Sequence, residues 1–420
     1  MQYGVIGEHL PHSFSKIIHE KIESYSYVIR EVAKDRLDSF MKEKAFDGIN
    51  VTIPYKESVI PYLDGVDPMA KAIGAVNTVV NENGRLYGYN TDFKGLSALI
   101  RRLGLSLKDK KVLILGTGGT SKTAKALAVA EGAKAVYRIS YFQSEDAISY
   151  KEAYEQHSDA DILINTTPCG MFPKLDTIAT DEKEEELSLS RFTRLEGVVD
   201  VVYNPLRTRL VQEAEHRSLA SGGGLYMLVA QAVFAAEYFT KKSYPPSLID
   251  EVFHEIVSAK ENIVLIGMPA SGKTTVGKLL AERMGRTLID TDEEIVKLTG
   301  KDIPTIFREE GEEAFRRYES EAIASLAAKE GLVIATGGGA VLKKDNVRRL
   351  KHNGKLYFID RPLSALIPTN DRPTASNREA IEARYRERYR IYRESADHRI
   401  DADCSPDAVA DMVLAHHQGK

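Results

Sequence analysis

Only two cysteines, Cys169 and Cys404, occur among 420 residues, far apart and without metal-site spacing around either. That scarcity excludes a disulfide framework and a structural zinc site, and it makes a reducing cytosol the natural setting. Also missing is any apolar run of ~18 residues, the length a membrane-spanning helix needs. The opening Met1–Glu8 has no basic segment ahead of a long apolar core, so no secretory signal is read there. A net charge of −4 gives no global attraction to nucleic acid or to an anionic membrane. These absences together predict a cytoplasmic protein with neither nucleic-acid nor membrane partners, and they carry no signal for oligomeric state.

What is present is a soluble globular composition, 43% hydrophobic and 28% charged. The length suggests two or three domains of about 100–200 residues each. Short apolar runs alternate with helical patterns nearly throughout: Gly4–Gly7, Gly48–Thr52, Val112–Leu115, Ile162–Ile164, Val198–Val202, Ile263–Ile266, Val333–Ala335 and Leu356–Ile359. That rhythm predicts parallel α/β structure. The acidic run Asp181–Leu187 reads as a solvated loop or helix face. A break at Ser243-Tyr-Pro-Pro-Ser247 precedes a predicted closing helix over Leu248–Val257, which puts a domain boundary near residues 257–262.

Directly after the run Ile263–Ile266 comes Gly267-Met-Pro-Ala-Ser-Gly-Lys-Thr274, a G-x-x-x-x-G-K-T phosphate loop, followed by a predicted helix over Val276–Arg283. A strand feeding glycines that open a helix turns backbone N–H groups onto phosphates. In such a loop Lys273 reaches the β- and γ-phosphates and the Thr274 hydroxyl ligates Mg²⁺. The C-terminal part is therefore predicted to bind a nucleoside triphosphate, with Gly267, Ala270, Ser271, Gly272, Lys273, Thr274 and Thr275 around it.

A second glycine turn lies at Val112-Leu-Ile-Leu-Gly-Thr-Gly-Gly-Thr120. It resembles a dinucleotide-binding fingerprint: Gly116 permits the tight turn, Gly118 lets backbone approach a pyrophosphate, and the helix after Gly119 offers its positive end. Around it stand His12-Ser-Phe-Ser15, Asn50-Val-Thr-Ile-Pro-Tyr-Lys56, Gly74-Ala-Val-Asn-Thr78 and Gly88-Tyr-Asn-Thr-Asp92, then Asn165-Thr-Thr-Pro-Cys-Gly-Met171, Asp200-Val-Val-Tyr203 and Gln231. As a set in this order, over residues 1 to about 256, these closely resemble the motifs of shikimate dehydrogenases.

The residue types suit a small hydroxylated carboxylate. Ser13 and Ser15 can donate to a carboxylate, while Thr52, Asn77 and Gln231 can pair with hydroxyls. Taken singly, Ser13, Ser15 and Asn77 are ordinary cap or turn residues and Lys56 a surface lysine after a proline. The resemblance implies that Lys56 and Asp92 bind the reacting hydroxyl and its neighbour, with Lys56 as general acid when hydride arrives from the nicotinamide. It also implies Tyr203 as a substrate contact and Gly116, Gly118, Gly119, Thr120 and Met171 as cofactor contacts. His12 and His19 receive no catalytic role.

Two positions depart from the family pattern. Lys16 stands where a proline is usual. The cofactor-selecting segment is Val136-Tyr-Arg-Ile-Ser140 in place of the common Asn-Arg-Thr. An arginine beyond the second strand accommodates a ribose 2′-phosphate, whereas an acid favours the free hydroxyl. Arg138 could serve one position early, so NADP(H) is expected ahead of NAD.

Beyond the phosphate loop come Leu288-Ile-Asp-Thr-Asp292, Ile306–Glu319 with its Gly-Glu-x-x-Phe-Arg core, Ala335-Thr-Gly-Gly-Gly-Ala340, Asp371-Arg-Pro373 and Arg388-Tyr-Arg-Ile-Tyr392. From about residue 261 onward this set resembles shikimate kinase. The resemblance implies that Arg316 and Arg388 fork onto the substrate carboxylate, the strong, orientation-fixing way to hold one. It gives Asp292 the substrate hydroxyls and the reacting proton, and Thr274 with Asp290 the Mg²⁺. Gly337, Gly338 and Gly339 would let backbone approach the ring, and Arg372 would close over the transferring phosphoryl group bound as ATP. Taken alone, Arg316 is also a helix-surface arginine with Glu312 four residues earlier. The segment Leu363–Asn370 is short and lacks an arginine often found there.

The expected architecture is a two-domain dehydrogenase fused to a P-loop kinase: a substrate-binding α/β domain over 1–103 and 225–257, a Rossmann-like domain over 104–224, and a kinase over 261–420. The implied chemistry is reduction of 3-dehydroshikimate to shikimate, then phosphorylation of shikimate at its 3-hydroxyl. Two alternatives are a quinate/shikimate dehydrogenase using NAD, fused to the kinase, and a catalytically inactive sensor of the same metabolites. The retention of Lys56, Asp92, Lys273, Thr274, Asp290, Asp292 and Arg316 argues against the sensor.

Overall fold

In the computed structural model, the described residues are 2–10, 13–140, 146–181, 183, 185–366 and 378–418. The chain divides into two compact units, Met1–Ile256 and Val257–Lys420. The helix Ser247–Lys260 runs through the division. Among the described residues, no helix is long and apolar enough to cross a membrane.

The first unit holds two six-stranded sheets. One comprises β1 (Tyr3–Gly7), β2 (Tyr27–Glu31), β3 (Gly48–Val51), β4 (Gly65–Val66), β5 (Thr78–Glu82) and β6 (Arg85–Tyr89), in the order β2-β1-β3-β5-β6-β4. Strands β1 to β3 pair in parallel, as the apolar rhythm predicts, but β5 is antiparallel to both β3 and β6. For β5 and β6 the reason lies in Asn83-Gly84, a two-residue loop with φ of +53° and +86°. Such a pair matches the twist of a hairpin and turns the chain straight back.

The other sheet comprises β7 (Lys111–Leu115), β8 (Ala135–Ile139), β9 (Ala147–Ile148), β10 (Ile162–Asn165), β11 (Gly197–Asp200) and β12 (Ala220–Gly222). It is parallel throughout, in the order β12-β11-β10-β7-β8-β9. Ligands of such sheets bind beyond the carboxyl ends of the strands, where the strand order reverses. Here that place is the end of β7, at Gly116. The strand predicted over Val198–Val202 stops at Asp200, because the backbone beyond it turns to follow that carboxylate.

Helix Leu225–Thr240 packs on helices Thr91–Arg102 and Ser15–Ile22, and Thr91–Arg102 also packs on Gly119–Ala130. The second unit holds a parallel sheet of β13 (Asn262–Ile266), β14 (Leu288–Asp290), β15 (Val333–Ala335), β16 (Gly354–Asp360) and β17 (His398–Asp401), ordered β14-β15-β13-β16-β17. Both faces of that sheet are covered. Val264, Ile266, Leu356 and Phe358 enter one apolar cluster, while Ile263, Leu265, Tyr357 and Ile359 enter the other. Period-two alternation between two buried faces is why these strands read as unbroken apolar runs.

Candidate functional site

Each unit gathers its own constellation. In the first, Lys56 lies beyond β3 and Asp92 in the opening turn of helix Thr91–Arg102, 36 residues later. Lys56 Nζ donates to Asp92 Oδ2 at 2.6 Å, and the two side chains are 16% and 10% exposed. The helix is capped by Asn90, whose side chain accepts from the Phe93 amide. Asp92 lies in the first turn of that helix. An ammonium has three donors, so one bond to Asp92 leaves others for a ligand.

Beside this pair, Asn77, Thr91 and Gln231 form a buried polar knot. Asn77 Nδ2 donates to Thr91 Oγ1 at 3.0 Å and to Gln231 Oε1 at 3.5 Å, while Asn77 Oδ1 accepts from the Thr91 amide at 2.7 Å. Gln231 is held in turn by the Leu228 carbonyl. Thr52 leaves β3 with its amide on Ile6 O, close against Gly7. Ser13 and Ser15 lie at the start of helix Ser15–Ile22, the Ser15 amide donating to Ser13 Oγ at 3.3 Å. Between them, Phe14 tilts against the Tyr203 ring at 5.2 Å. Burial raises the Tyr203 phenol above its ordinary value. Lys16 pairs with Glu20 on the helix surface.

His19 is not a site residue. Its ring is fully buried, stacked on Tyr27 at 4.0 Å with Nδ1 against the Tyr25 hydroxyl, and burial drives its pKa down to about 3. His12 lies outside the described residues.

At the end of β7, Gly116 takes φ +102°, which only glycine adopts readily, with its amide on Ile139 O. Gly118 begins helix Gly119–Ala130, no side chain caps it, and a Cβ at Gly118 or Gly119 would touch no protein atom. Uncapped N–H groups beside clear space fit a pyrophosphate. Thr120 lies in that first turn, and Met171, 42% exposed, lies on the turn beyond β10. Arg138 departs from expectation. It sits inside β8, not beyond it, because that strand pairs with β7 through Ile139. Its guanidinium is buried and donates from Nη2 to Asp146 Oδ2 at 3.0 Å.

A group that sequence reading left without a role is Asp200, fully buried at the end of β11. It accepts from Asn165 Nδ2 at 2.9 Å, the Val202 amide at 3.0 Å and Thr208 Oγ1 at 2.7 Å. Burial, opposed by these bonds, pushes its pKa up to about 6.

In the second unit, β13 feeds a loop with φ of +149° at Gly267, +62° at Ala270 and +88° at Gly272. A Cβ at Gly267 would lie 2.8 Å from Ile359 O. Helix Lys273–Met284 follows, uncapped by any side chain. Lys273 is buried and donates to the Gly267 and Met268 carbonyls, spanning the loop, with Ser271 buried beside it. Thr274 Oγ1 donates to Asp290 Oδ2 at 2.9 Å, and Asp290 caps helix Thr291–Thr299 by accepting from the Asp292 amide. A hydroxyl and a carboxylate beside a phosphate loop are the hard oxygen donors that suit Mg²⁺, which takes few protein ligands. Thr275 follows in the same turn.

A cavity of about 560 Å³ is lined by Asp292, Arg316, Gly337, Gly338, Gly339 and Arg388, with Phe307 and Phe315 among its apolar walls. The separately predicted substrate residues thus converge. Arg388 is buried, with Nη1 on Gly338 O at 3.3 Å, and the Tyr392 hydroxyl donates to that same carbonyl. Gly339 is a close approach: a Cβ there would collide with the Arg316 guanidinium. Arg316 is no surface residue. It is 13% exposed, bonded to Glu312 at 3.0 Å and to Glu319 at 2.9 Å. Glu319, buried on the cavity wall, was missed in the sequence although it falls within the motif, one turn past Arg316. Arg372 lies outside the described residues.

Known proteins match both parts. Residues 5–79 match the family model for the shikimate dehydrogenase substrate binding domain, and residues 269–418 that for shikimate kinase. A shikimate dehydrogenase (NADP(+)) of Clostridium beijerinckii is 38% identical over 252 residues, 56% of this chain and 90% of the relative. The structure of shikimate dehydrogenase 1 from Peptoclostridium difficile aligns with a TM-score of 0.55 at 32% identity, covering 61% of this chain and 98% of that one. That of Thermus thermophilus shikimate 5-dehydrogenase, in complex with NADP(H) and shikimate, aligns at 0.53 and 29% identity, over 61% and 99%. The chain therefore belongs to the shikimate dehydrogenase family and joins to it a shikimate kinase domain, making it a bifunctional enzyme of the shikimate pathway.

Proposed function

We propose that the first unit reduces 3-dehydroshikimate to shikimate with NADPH and that the second phosphorylates the 3-hydroxyl of shikimate with MgATP. One observation carries the reading: Lys56 and Asp92 meet at 2.6 Å, nearly buried, beside the Asn77–Thr91–Gln231 knot. In this reading Ser13 and Ser15 hold the carboxylate. Thr52, Asn77, Tyr203 and Gln231 hold the hydroxyl edge, and Lys56 gives its proton to the carbonyl oxygen while Asp92 orients it. The turn at Gly116, Gly118, Gly119 and Thr120, with Met171, holds the dinucleotide, which supplies the hydride when bound. Domains over 1–103 plus 225–257, 104–224 and 261–420 belong to the same proposal, as does a cytoplasmic setting.

In the kinase, Arg316 and Arg388 fix the carboxylate from two directions and Asp292 draws the reacting hydroxyl into line. Lys273, the loop amides and Arg372 hold and neutralise the phosphates, and Thr274 with Asp290 would hold the Mg²⁺ that offsets their charge. The pairing of Arg138 with Asp146 favours a second reading of the cofactor, in which NADH is also accepted, because an acid beside the 2′-position opposes a phosphate.

The test is a coupled assay of the whole chain with 3-dehydroshikimate and MgATP, NADPH against NADH, with products identified by mass spectrometry. Shikimate 3-phosphate is the expected product. Shikimate without phosphorylation would overturn the kinase assignment, and no product at all would leave the sensor reading.

A further inference from the structure

Asp200 touches none of the groups assigned above to substrate or cofactor, yet its bonds lead to both walls of the dehydrogenase site. On one side, Asn165 gives Nδ2 to Asp200 and turns its own Oδ1 to the Thr167 amide at 3.0 Å and Thr167 Oγ1 at 2.7 Å. Thr166 and Thr167 pack on the glycine turn: a Cβ at Gly116 would lie 3.0 Å from Thr166 Oγ1 and 3.2 Å from Thr167 Cγ2. On the other side, the Val202 amide donates to Asp200, and Val202 O accepts from the Gly224 amide at 2.8 Å. Gly224 opens the helix that carries Gln231, and Tyr203 is the next residue after Val202. Thr208 closes the third side with its hydroxyl while capping helix Arg209–His216.

We propose that Asp200 is a positioning residue for hydride transfer, a single buried carboxylate that sets the cofactor-side turn through Asn165 and the substrate-side wall through Val202 and Tyr203. The inference rests on the reading of Lys56, Tyr203 and the Gly116 turn as one site. The physical basis is that bonds to an ionised acceptor are about twice as strong as neutral ones. A carboxylate shared by three donors therefore holds two loops in one geometry where an amide cannot, since an amide presents only one acceptor oxygen. Hydride transfer depends steeply on distance, so loosened loops should cost turnover more than binding.

The experiment uses the full chain, whose kinase activity reports on the second unit in the same sample. Asp200→Asn should lower dehydrogenase kcat roughly ten- to a hundredfold, with a smaller rise in KM for 3-dehydroshikimate and kinase kinetics unchanged. Thr208→Val should show the same split more weakly, and Thr208→Ser should restore wild-type kinetics. Unchanged kcat in Asp200→Asn would overturn the proposal, as would a loss that a melt of the first unit explains entirely through a smaller folded fraction. Should Asp200→Asn fail to fold, the Thr208 pair decides: a kcat loss in Val rescued by Ser supports positioning, and equal kinetics overturn it. Lys56→Met serves as the reference for the site itself. If that variant keeps full turnover, the reading of the dehydrogenase site fails independently of Asp200.

Discussion

Glu319 lies one helical turn beyond Arg316 and accepts from Arg316 Nη1 at 2.9 Å, and of the two partners it is the more buried, with 1% of its side chain exposed. Burial raises the Glu319 carboxyl above its ordinary value, and the charge of Arg316 pulls it back. The pair is arranged so that a buried anion aims a cation at the cavity. Breaking such a pair costs more than its net contribution, because the remaining charge loses its partner.

Glu319→Gln should therefore raise the kinase KM for shikimate by about tenfold or more, the scale of one charge-assisted bond. The KM for ATP should hardly move, and the dehydrogenase should be untouched. Steady-state kinetics with each substrate varied in turn checks the split. A rise in the KM for ATP with no change for shikimate would show that Arg316 does not face the substrate.

Lys56→Met keeps the length of the side chain and removes its donor. The expected loss is about 10²- to 10⁴-fold in dehydrogenase kcat, the range for general acid catalysis, with a smaller effect on KM. Asp92→Asn should lose less, since it leaves the ammonium in place and removes only the group that orients it. Equal effects of both on KM alone would assign the pair to binding.

How much of this was legible in the sequence depended on distance along the chain. Gly267–Thr274 and Leu115–Gly119 are runs of consecutive residues, and backbone geometry follows from such runs directly. The Asn83-Gly84 hairpin was equally local, and reading it would have given the antiparallel turn in the first sheet. What stayed hidden was partnership across the fold: Asn165 with Asp200 is 35 residues apart, and Thr91 with Gln231 is 140. Burial was hidden too. His19 has no assigned role in sequence and is a stacked core ring in the structure, and Arg316, taken alone a helix-surface arginine, lines a cavity.

Arg138 is the case where a local reading met a nonlocal competitor. Asp146, eight residues on, takes up a guanidinium that the sequence offered to a ribose phosphate. Asp146→Asn should free Arg138 and raise the ratio of kcat/KM for NADPH over NADH by roughly tenfold, the scale of one bond to a charged group. Arg138→Gln should lower it. A ratio indifferent to both substitutions would place the 2′-phosphate elsewhere.

Acid should weaken the two units through different histidines. His19 in the first unit has its pKa lowered from 6.5 to about 3 by burial, and His417 in the second from 6.5 to about 4, by burial first and the Arg286 charge second. Between the folded and unfolded values the unfolded chain binds the extra proton. The stability that each neutral ring contributes is thus complete above pH 6.5 and is lost as pH falls towards the folded value. Asp200 acts in the opposite sense: its pKa is raised from 3.8 to about 6, so its contribution is present below pH 3.8 and lost as pH rises through 6. Between pH 6 and 4 these two groups partly cancel in the first unit, and in the second the Glu319 carboxyl, raised by burial, opposes His417 in the same sense. His19 alone is worth about 1.4 kcal/mol per pH unit across its window. Denaturant unfolding at pH 7.5 and 5, followed by dehydrogenase and kinase activity, should show His19→Gln weakened at pH 7.5 but with a shallower loss on acidification than wild type, confined to the dehydrogenase. His417→Gln should do the same for the kinase. Parallel pH slopes for variant and wild type would show that neither ring is held neutral by the fold.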